Sequence, residues 1–239
     1  MLSIDLNCDL SEGCANDDLI MPFISSANIA CGYHAGDEQT IERTIKSALQ
    51  NNVAVGAHPS FFDKENFGRK EYSLSEDEYY KLIIEQLNII QKIAKKCGAK
   101  LHHVKPHGAL YNLSVKNKYV ANIIAKAIND FDKNLILYGL SGSHSISEAE
   151  KYKLKTASEV FADRTYQNDG TLTPRGRSNA LINSVDEVSS QVLQMIKEQT
   201  AKSVDNIILP IKAETICIHG DGEHAVEFAK EINSMFNQK

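Results

Sequence analysis

The chain lacks the features by which many function classes announce themselves. Its 239 residues include no tryptophan and only five cysteines. Cys8, Cys14, Cys31, Cys97 and Cys217 are odd in number and scattered, with no C-x-x-C pair. That spacing excludes a zinc site of the cysteine-pair type and favours reduced, buried thiols over a disulfide framework. Thirteen glycines and five prolines are too few for a collagen-like or linker-dominated chain. No apolar run approaches the roughly 18 residues of a membrane span, so no membrane partner is expected. Met1 to Asp9 has no basic stretch followed by an apolar one, and no signal peptide is expected there. The formal charge of −5, without a basic stripe, argues against a nucleic-acid partner. The phosphate-cradling patterns G-x-x-x-x-G-K-[ST] and G-x-G-x-x-G are absent, as is the nucleophile elbow G-x-S-x-G. With 42% hydrophobic residues the expectation is a cytoplasmic globular protein with a full core.

What is present is an alternation of short β-type runs and helix-type stretches. Ser3–Asn7 alternates with period two. Residues 40–51 place Ile41, Ile45, Ala48 and Leu49 on one helical face. Val53–Ala57 is a compact apolar run ending in His58-Pro59. The capping box Ser75-Glu76-Asp77-Glu78 opens a helix to about Cys97, with Gly98 suited to the turn that ends it. Strands are expected at 101–105, 135–139, 153–158, 207–211 and 215–218, and helices at 118–129, 145–151, 184–200 and 223–236, the third behind a second capping box at Ser184-Val185-Asp186-Glu187. Strand after helix without a break indicates an α/β fold with a mainly parallel sheet. A length of about 150 residues per domain leaves one large domain or two small ones. The absence of any linker resolves this to one domain over residues 1–239, either a (β/α) barrel or a doubly wound sheet.

In such folds functional groups gather where strands end. Here nearly every expected strand runs into titratable residues. The first gives Asp5, Asn7, Asp9 and Glu12. A His34 between glycines follows Asn28, and His58 ends the next run. Lys105, His107 and Asn112 come next, then Glu159, Asp163 and Arg164, and finally His219 and Asp221. Groups of mixed sign and pKa brought to one pocket are what general acid–base chemistry needs. Individually, each has a plainer structural reading; Asp9 and Asp221 both suit helix caps. The pair His103-x-x-x-His107 has a metal-ligand spacing, but that spacing aligns side chains on a helix, whereas this segment is a strand running into Pro106. One of His102 and His103 must point away from the site. The loop Asn66-Phe67-Gly68-Arg69 reads equally as a lid with an anion-binding Arg or as a surface turn.

The blocks Asp5-Leu6-Asn7-Cys8-Asp9-Leu10, Ala27 to Asp37, Gly56-Ala57-His58-Pro59, Val104 to Asn112, Glu159 to Tyr166 and Ile216 to Asp221 resemble the LamB/YcsF family, in family order across almost the whole chain. The chain departs from the family pattern at Ser11, Cys14-Ala15, Lys70 and Ser60 to Phe62, all expected in loops. The resemblance implies an irregular, TIM-like (β/α) barrel of the glycoside hydrolase/deacetylase type. It also implies an ATP-dependent 5-oxoprolinase activity, opening the lactam of 5-oxo-L-proline to L-glutamate with release of ADP and phosphate. ATP is then a co-substrate, a divalent metal such as Mg2+ is compatible with it, and the partners are two further 5-oxoprolinase subunits, B and C; a homo-oligomer is also compatible. On that reading Asp9, His58, Lys105, His107 and Glu159 are the catalytic candidates. Lys105 and Arg164 would meet anionic oxygens, and Asp9 or Glu159 would act as base towards water, helped by His58 or His107. Asn7, Asn28, His34, Asn112, Asp163, Arg164, His219 and Asp221 are the substrate-binding candidates. Replacing Lys105 by Ala is expected to cut turnover at least about a hundredfold with the fold intact. Two rivals remain: a metal-dependent deacetylase or amidase with Asp9, His58 and His107 as ligands, and a non-catalytic subunit that binds a small lactam or carbohydrate.

Overall fold

The first strand, Asp5–Leu10 (β1), is buried along almost its whole length, as a parallel strand covered on both faces must be. The computed structural model describes residues 4–236, so Ser3 of the expected first strand lies outside the described residues. Six more strands join β1 in parallel: Ser26–Ala30 (β2), Ala54–His58 (β3), Leu101–Val104 (β4), Ile136–Leu140 (β5), Lys155–Phe161 (β6) and, after a two-stranded antiparallel excursion Thr200–Lys202 (β7) with Ile208–Pro210 (β8), Thr215–His219 (β9). The order β1-β2-β3-β4-β5-β6-β9 closes on itself, because β9 pairs with both β1 and β6. The result is a TIM-like barrel of seven strands, which decides between the two sheet topologies expected from the sequence. The run at 207–211 is a strand, but it belongs to the β7–β8 hairpin outside the barrel.

Helices cover the outside: Asp17–Ile20 (α1), Glu38–Gln50 (α2), Glu76–Lys96 (α3), Gly108–Lys116 (α4), Lys118–Phe131 (α5), His144–Lys151 (α6), Val185–Glu198 (α7) and Ala225–Phe236 (α8). Their starts follow the local chemistry. Asp37 accepts from the Thr40 amide at the head of α2, and Ser75 and Glu78 form the full reciprocal capping box of α3. At α7 Ser184 accepts from the Glu187 amide, and among the described residues the return bond of that second box is absent. None of the described helices is long and apolar enough to cross a membrane.

The barrel interior is polar along one track. Asp5 accepts from Ser25 and Ser26 at one end. Asn7 donates to Thr215 at 2.7 Å. Asn28 then donates to both Asn7 and Asp9, at 2.7 and 2.8 Å, and the His103 ring meets Asn28 Oδ1 at 2.8 Å while stacking on Tyr138. Each of these groups finds a partner in the next layer, which is the condition for keeping them inside a barrel. His102 is the one of the histidine pair that turns outward. Space for the His103 ring comes from Gly56, where an added Cβ would lie 2.0 Å from His103 Nε2. Since that ring is held by Asn28 and Tyr138, it cannot step aside. Gly56→Ala is expected to destabilise the protein by about 3 kcal/mol, read as a lowered urea midpoint at unchanged slope; a shift below about 0.5 kcal/mol would mean that the ring has room to move.

Candidate active site

The polar track ends at the carboxyl ends of the strands in a cavity of about 310 Å3, at the lower end of the size range of small-molecule sites. Its floor is an ammonium. Lys105, just past β4, is buried, and its Nζ lies 2.9 Å from Asp9 Oδ1 and 2.9 Å from Glu159 Oε1. It also donates to Cys217 Sγ at 3.0 Å and to Asn7 Oδ1 at 3.3 Å. The contact with Glu159 Oε1 is an ion pair by distance and not an aligned hydrogen bond; Glu159 Oε2 accepts from the Tyr111 hydroxyl at 2.8 Å. Burial alone would push Lys105 down, but Asp9 first, then Cys217 and Glu159, hold it well above the ordinary lysine range. For Asp9, burial pushes the carboxyl up, and the His58 and Lys105 charges outweigh it and hold it well below. Lysine and carboxylate thus keep each other charged.

One wall of the cavity is a histidine cluster around Glu12. His34 Nε2 and His107 Nδ1 each lie 3.1 Å from Glu12 Oε1, and His58 Nε2 lies 3.5 Å from it. His58 Nε2 and His107 Nδ1 are 2.9 Å apart. The outer nitrogens are tied to backbone carbonyls, His58 Nδ1 to Lys105 at 2.7 Å and His107 Nε2 to Phe67 at 3.0 Å. Both outer nitrogens must carry hydrogen, since a carbonyl oxygen only accepts. Burial lowers His34 to about 4 despite Glu12 and also lowers His107. His58 is raised: burial pushes it down, but the charge and hydrogen bond of Asp9 together with the charge of Glu12 outweigh that. At Glu12 hydrogen bonds from His107 and His34 overcome burial and depress the carboxyl.

The loop at 63–70 is stitched onto this wall and is no free surface turn. Asp63 accepts from Asn66 and Lys70, Phe67 supplies the carbonyl to His107, and the Ala109 amide donates to Gly68 O. Gly68 has φ +65°, and a Cβ there would strike Ser60 Oγ at 2.1 Å, so only glycine lets the loop lie this close. The loop presents Arg69 to the cavity, where it pairs with Asp221 at 3.1 Å; Arg175 approaches the same carboxylate at 3.6 Å. Lys105, Lys116, Arg69, Arg164 and Arg175 line the cavity against Asp9, Glu12 and Asp221. This excess of cations suits an anionic ligand.

The residues expected from the sequence divide in two. Asp9, His58, Lys105, His107, Asn112, Arg164, His219 and Asp221 line the cavity; Asn7, Asn28, His34, Glu159 and Asp163 do not. Asn7 and Asn28 lie beneath it and hold Asp9 and Lys105, in place of the substrate contact expected of them. Glu159 is sealed behind Lys105 and Tyr111. Asp163 accepts from the His219 backbone amide and lies 3.0 Å from His219 Nδ1, which fixes that ring at the rim. Arg164 reaches the cavity, but its Nη2 donates to the Thr173 carbonyl at 2.6 Å and its Nε to the Ala180 carbonyl, so much of the fork pins the loop after β6. Burial and Arg175 lower Arg164 to about 10. Asp9 is a strand residue and caps no helix, and Asp221 serves Arg69 and Arg175. His103 does not join His107, since its ring faces Asn28. Tyr111 and Arg175 are additions; Glu12 and Arg69 are named from the sequence, as a titratable group after the first strand and as the Arg of a lid or surface turn, but without an assigned role. Glu12 and Arg69 are visible in the sequence as titratable groups in loops, but nothing in the spacing places them at the centre of the wall or at the rim.

These observations define a class: a TIM-like parallel barrel with a buried lysine–carboxylate floor and a cavity lined by titratable side chains at the carboxyl ends of its strands. The LamB/YcsF family model matches residues 4–239. The chain is 48% identical to a protein of Bacillus cytotoxicus named as the A subunit of 5-oxoprolinase, over 99% of this chain and 96% of that one. A Bacillus cereus protein of the same name is 49% identical over the same shares. Among solved structures, the lactam utilization protein of Thermus thermophilus superposes with a TM-score of 0.91 at 36% identity, covering 99% of this chain and 97% of that one. The chain belongs to the LamB/YcsF family.

The geometry revises the expectation for Lys105→Ala. Removing the ammonium leaves Asp9 and Glu159 buried without their counter-charge, which costs about 3–5 kcal/mol. Adding Glu159→Gln to Lys105→Ala should recover at least about 1 kcal/mol of that loss in a double-mutant cycle. Strict additivity of the two changes in urea unfolding would contradict the ion-pair account.

Proposed function

We propose that the chain is the A subunit of a cytoplasmic 5-oxoprolinase, opening 5-oxo-L-proline to L-glutamate with hydrolysis of ATP to ADP and phosphate, together with subunits B and C. The observation that carries this reading is the full-length identity of 48–49% to relatives that bear that name. The cavity supports it on chemical grounds. An unactivated lactam is a poor electrophile, so ATP is put to use by moving its γ-phosphoryl group onto the amide oxygen. Water then attacks the amide carbon, the C–N bond breaks with a proton passing to nitrogen, and a second water releases phosphate from the resulting acyl phosphate.

The chain's own residues fit these demands. The cationic rim of Arg69, Arg164 and Arg175 suits the substrate carboxylate and phosphoryl oxygens. Of the two carboxylates considered as base, Asp9 alone lines the cavity. Its Oδ1 is taken by Lys105 and Asn28, while Oδ2 stands 3.4 Å from His58 Nε2, so Oδ2 is the atom placed to accept a proton from water. Asp9 is held ionised at neutral pH, which keeps that acceptor available. Lys105 sets the charge and position of Asp9, and Asn112 with His219 stands at the edge of the same cavity. No glycine-rich phosphate loop is present, so ATP would be held largely by the partner subunits or across their interface.

The test is release of glutamate from 5-oxoproline by the reconstituted three-subunit mixture. Glutamate should appear only with ATP and all subunits present. In that mixture Asp9→Asn should lower kcat at least about a hundredfold while remaining folded by circular dichroism. Glutamate release without ATP, or near-normal turnover by Asp9→Asn, would overturn the reading.

A further inference from the structure

The wall of the cavity carries a second chemistry. We propose that Glu12, His34, His58 and His107 form a binding site for a divalent first-row transition cation of the Zn2+ type. Four side chains from four different segments each bring one ligand-capable atom to a common point, all within 4.8 Å of one another. A tetrahedral Zn2+ with ligands at 2.0–2.1 Å requires ligand–ligand separations of about 3.3–3.4 Å. Four of the six separations are 2.9 Å for His58–His107, 3.1 Å for Glu12–His34, 3.1 Å for Glu12–His107 and 3.5 Å for Glu12–His58, and those from His34 to the other two rings lie within 4.8 Å.

The surrounding bonds point the same way. A metal-binding imidazole commonly donates its other N–H to a carbonyl or carboxylate, which fixes the tautomer and aims the lone pair at the metal. His58 and His107 are held in that manner by the Lys105 and Phe67 carbonyls. With hydrogen on the outer nitrogens, the inner nitrogens, His58 Nε2 and His107 Nδ1, face each other across 2.9 Å and both face Glu12 Oε1. A cation bound there takes a lone pair from each ring and displaces any proton held between them.

Three nitrogens and one oxygen also select the ion. Mg2+ prefers an all-oxygen shell with retained water, whereas three imidazoles suit zinc and its neighbours. Asp9, taken from the sequence as a ligand beside His58 and His107, is committed through Oδ1 to Lys105 and Asn28; Glu12 and His34 complete the set instead. The other convergent group, Asp9, Cys217 and His219, already has a cation, since Lys105 Nζ contacts both Asp9 and Cys217 Sγ.

This site does not depend on the reaction proposed above, and its test does not use activity. The purified chain, stripped with a chelator and dialysed, is titrated with Co2+ and, separately, with Zn2+. One equivalent of Co2+ per chain should give a visible d–d absorption of tetrahedral intensity, and Zn2+ should displace it and raise the melting temperature by several degrees. Glu12→Gln and His34→Gln should each weaken uptake at least about a hundredfold, whereas His219→Gln, at the other convergent group, should leave it unchanged. Absence of stoichiometric uptake by the unaltered chain overturns the proposal even where a variant fails to fold. Uptake lost in His219→Gln, or retained in both Glu12→Gln and His34→Gln, overturns the assignment of ligands.

Discussion

The ammonium of Lys105 is the charge on which the rest of the structure depends. Its contacts with Asp9 of β1, Glu159 of β6 and Cys217 of β9 reach across the barrel. Asp9 could not remain ionised at that depth without it, and the lysine could not remain charged without its partners. Their mutual dependence explains the polar track beneath. Asn7, Asn28, His103 and Thr215 carry satisfied hydrogen bonds up the barrel to Asp9, so the reactive end rests on a rigid polar interior instead of an apolar one.

Above that floor the cavity separates its tasks by position. Glu12, His58 and His107 form one wall, with His34 stacked on His107 behind it, clamped from outside by the Phe67-Gly68 loop. The rim carries Arg69, Arg175 and Asp221, in contact with solvent, and Asp163 orients His219 there. Asp9 and Glu159 are fixed by strands and Lys105 follows β4 directly, while the charged groups of the rim sit on loops, the usual division in barrels of this kind. Arg164 crosses the division, because its guanidinium holds the loop after β6 by the Thr173 and Ala180 carbonyls while also reaching the cavity.

Much of this was legible in the sequence, and what was not has identifiable physical causes. The long amphipathic helices and the Ser75 capping box declare themselves locally, and the titratable residue after each strand marks the site end of the barrel. β2 did not declare itself, because Ser26-Ala27-Asn28-Ile29-Ala30 is buried throughout and has no alternation to betray it. α4 starts directly behind Pro106 at Gly108, whose φ is +54°, and glycine there masks a helix start. Residues 207–211 have strand character, but only pairing shows that they form a hairpin outside the barrel. At the site, Asn7 and Asn28 are polar residues in barrel strands, yet a one-layer difference in height places them beneath the cavity, against Asp9 and Lys105. Glu12 lies in a loop whose path is set by tertiary contacts, so its place among three histidines has no signal in spacing.

The most direct measurement of the central claim is a pH titration of Lys105 by NMR, following its side-chain 13Cε and 15Nζ signals in protein with labelled lysine. A lysine whose folded pKa is raised contributes stability that is complete below the unfolded value of about 10.4 and is lost as pH rises through the folded value. The account predicts that the Lys105 signals stay those of an ammonium through about pH 10, where exposed lysines begin to titrate, and change only as the protein unfolds in stronger alkali. A midpoint for Lys105 below about 10 in the folded protein would contradict it, since a neutral amine could not help hold Asp9 as a carboxylate.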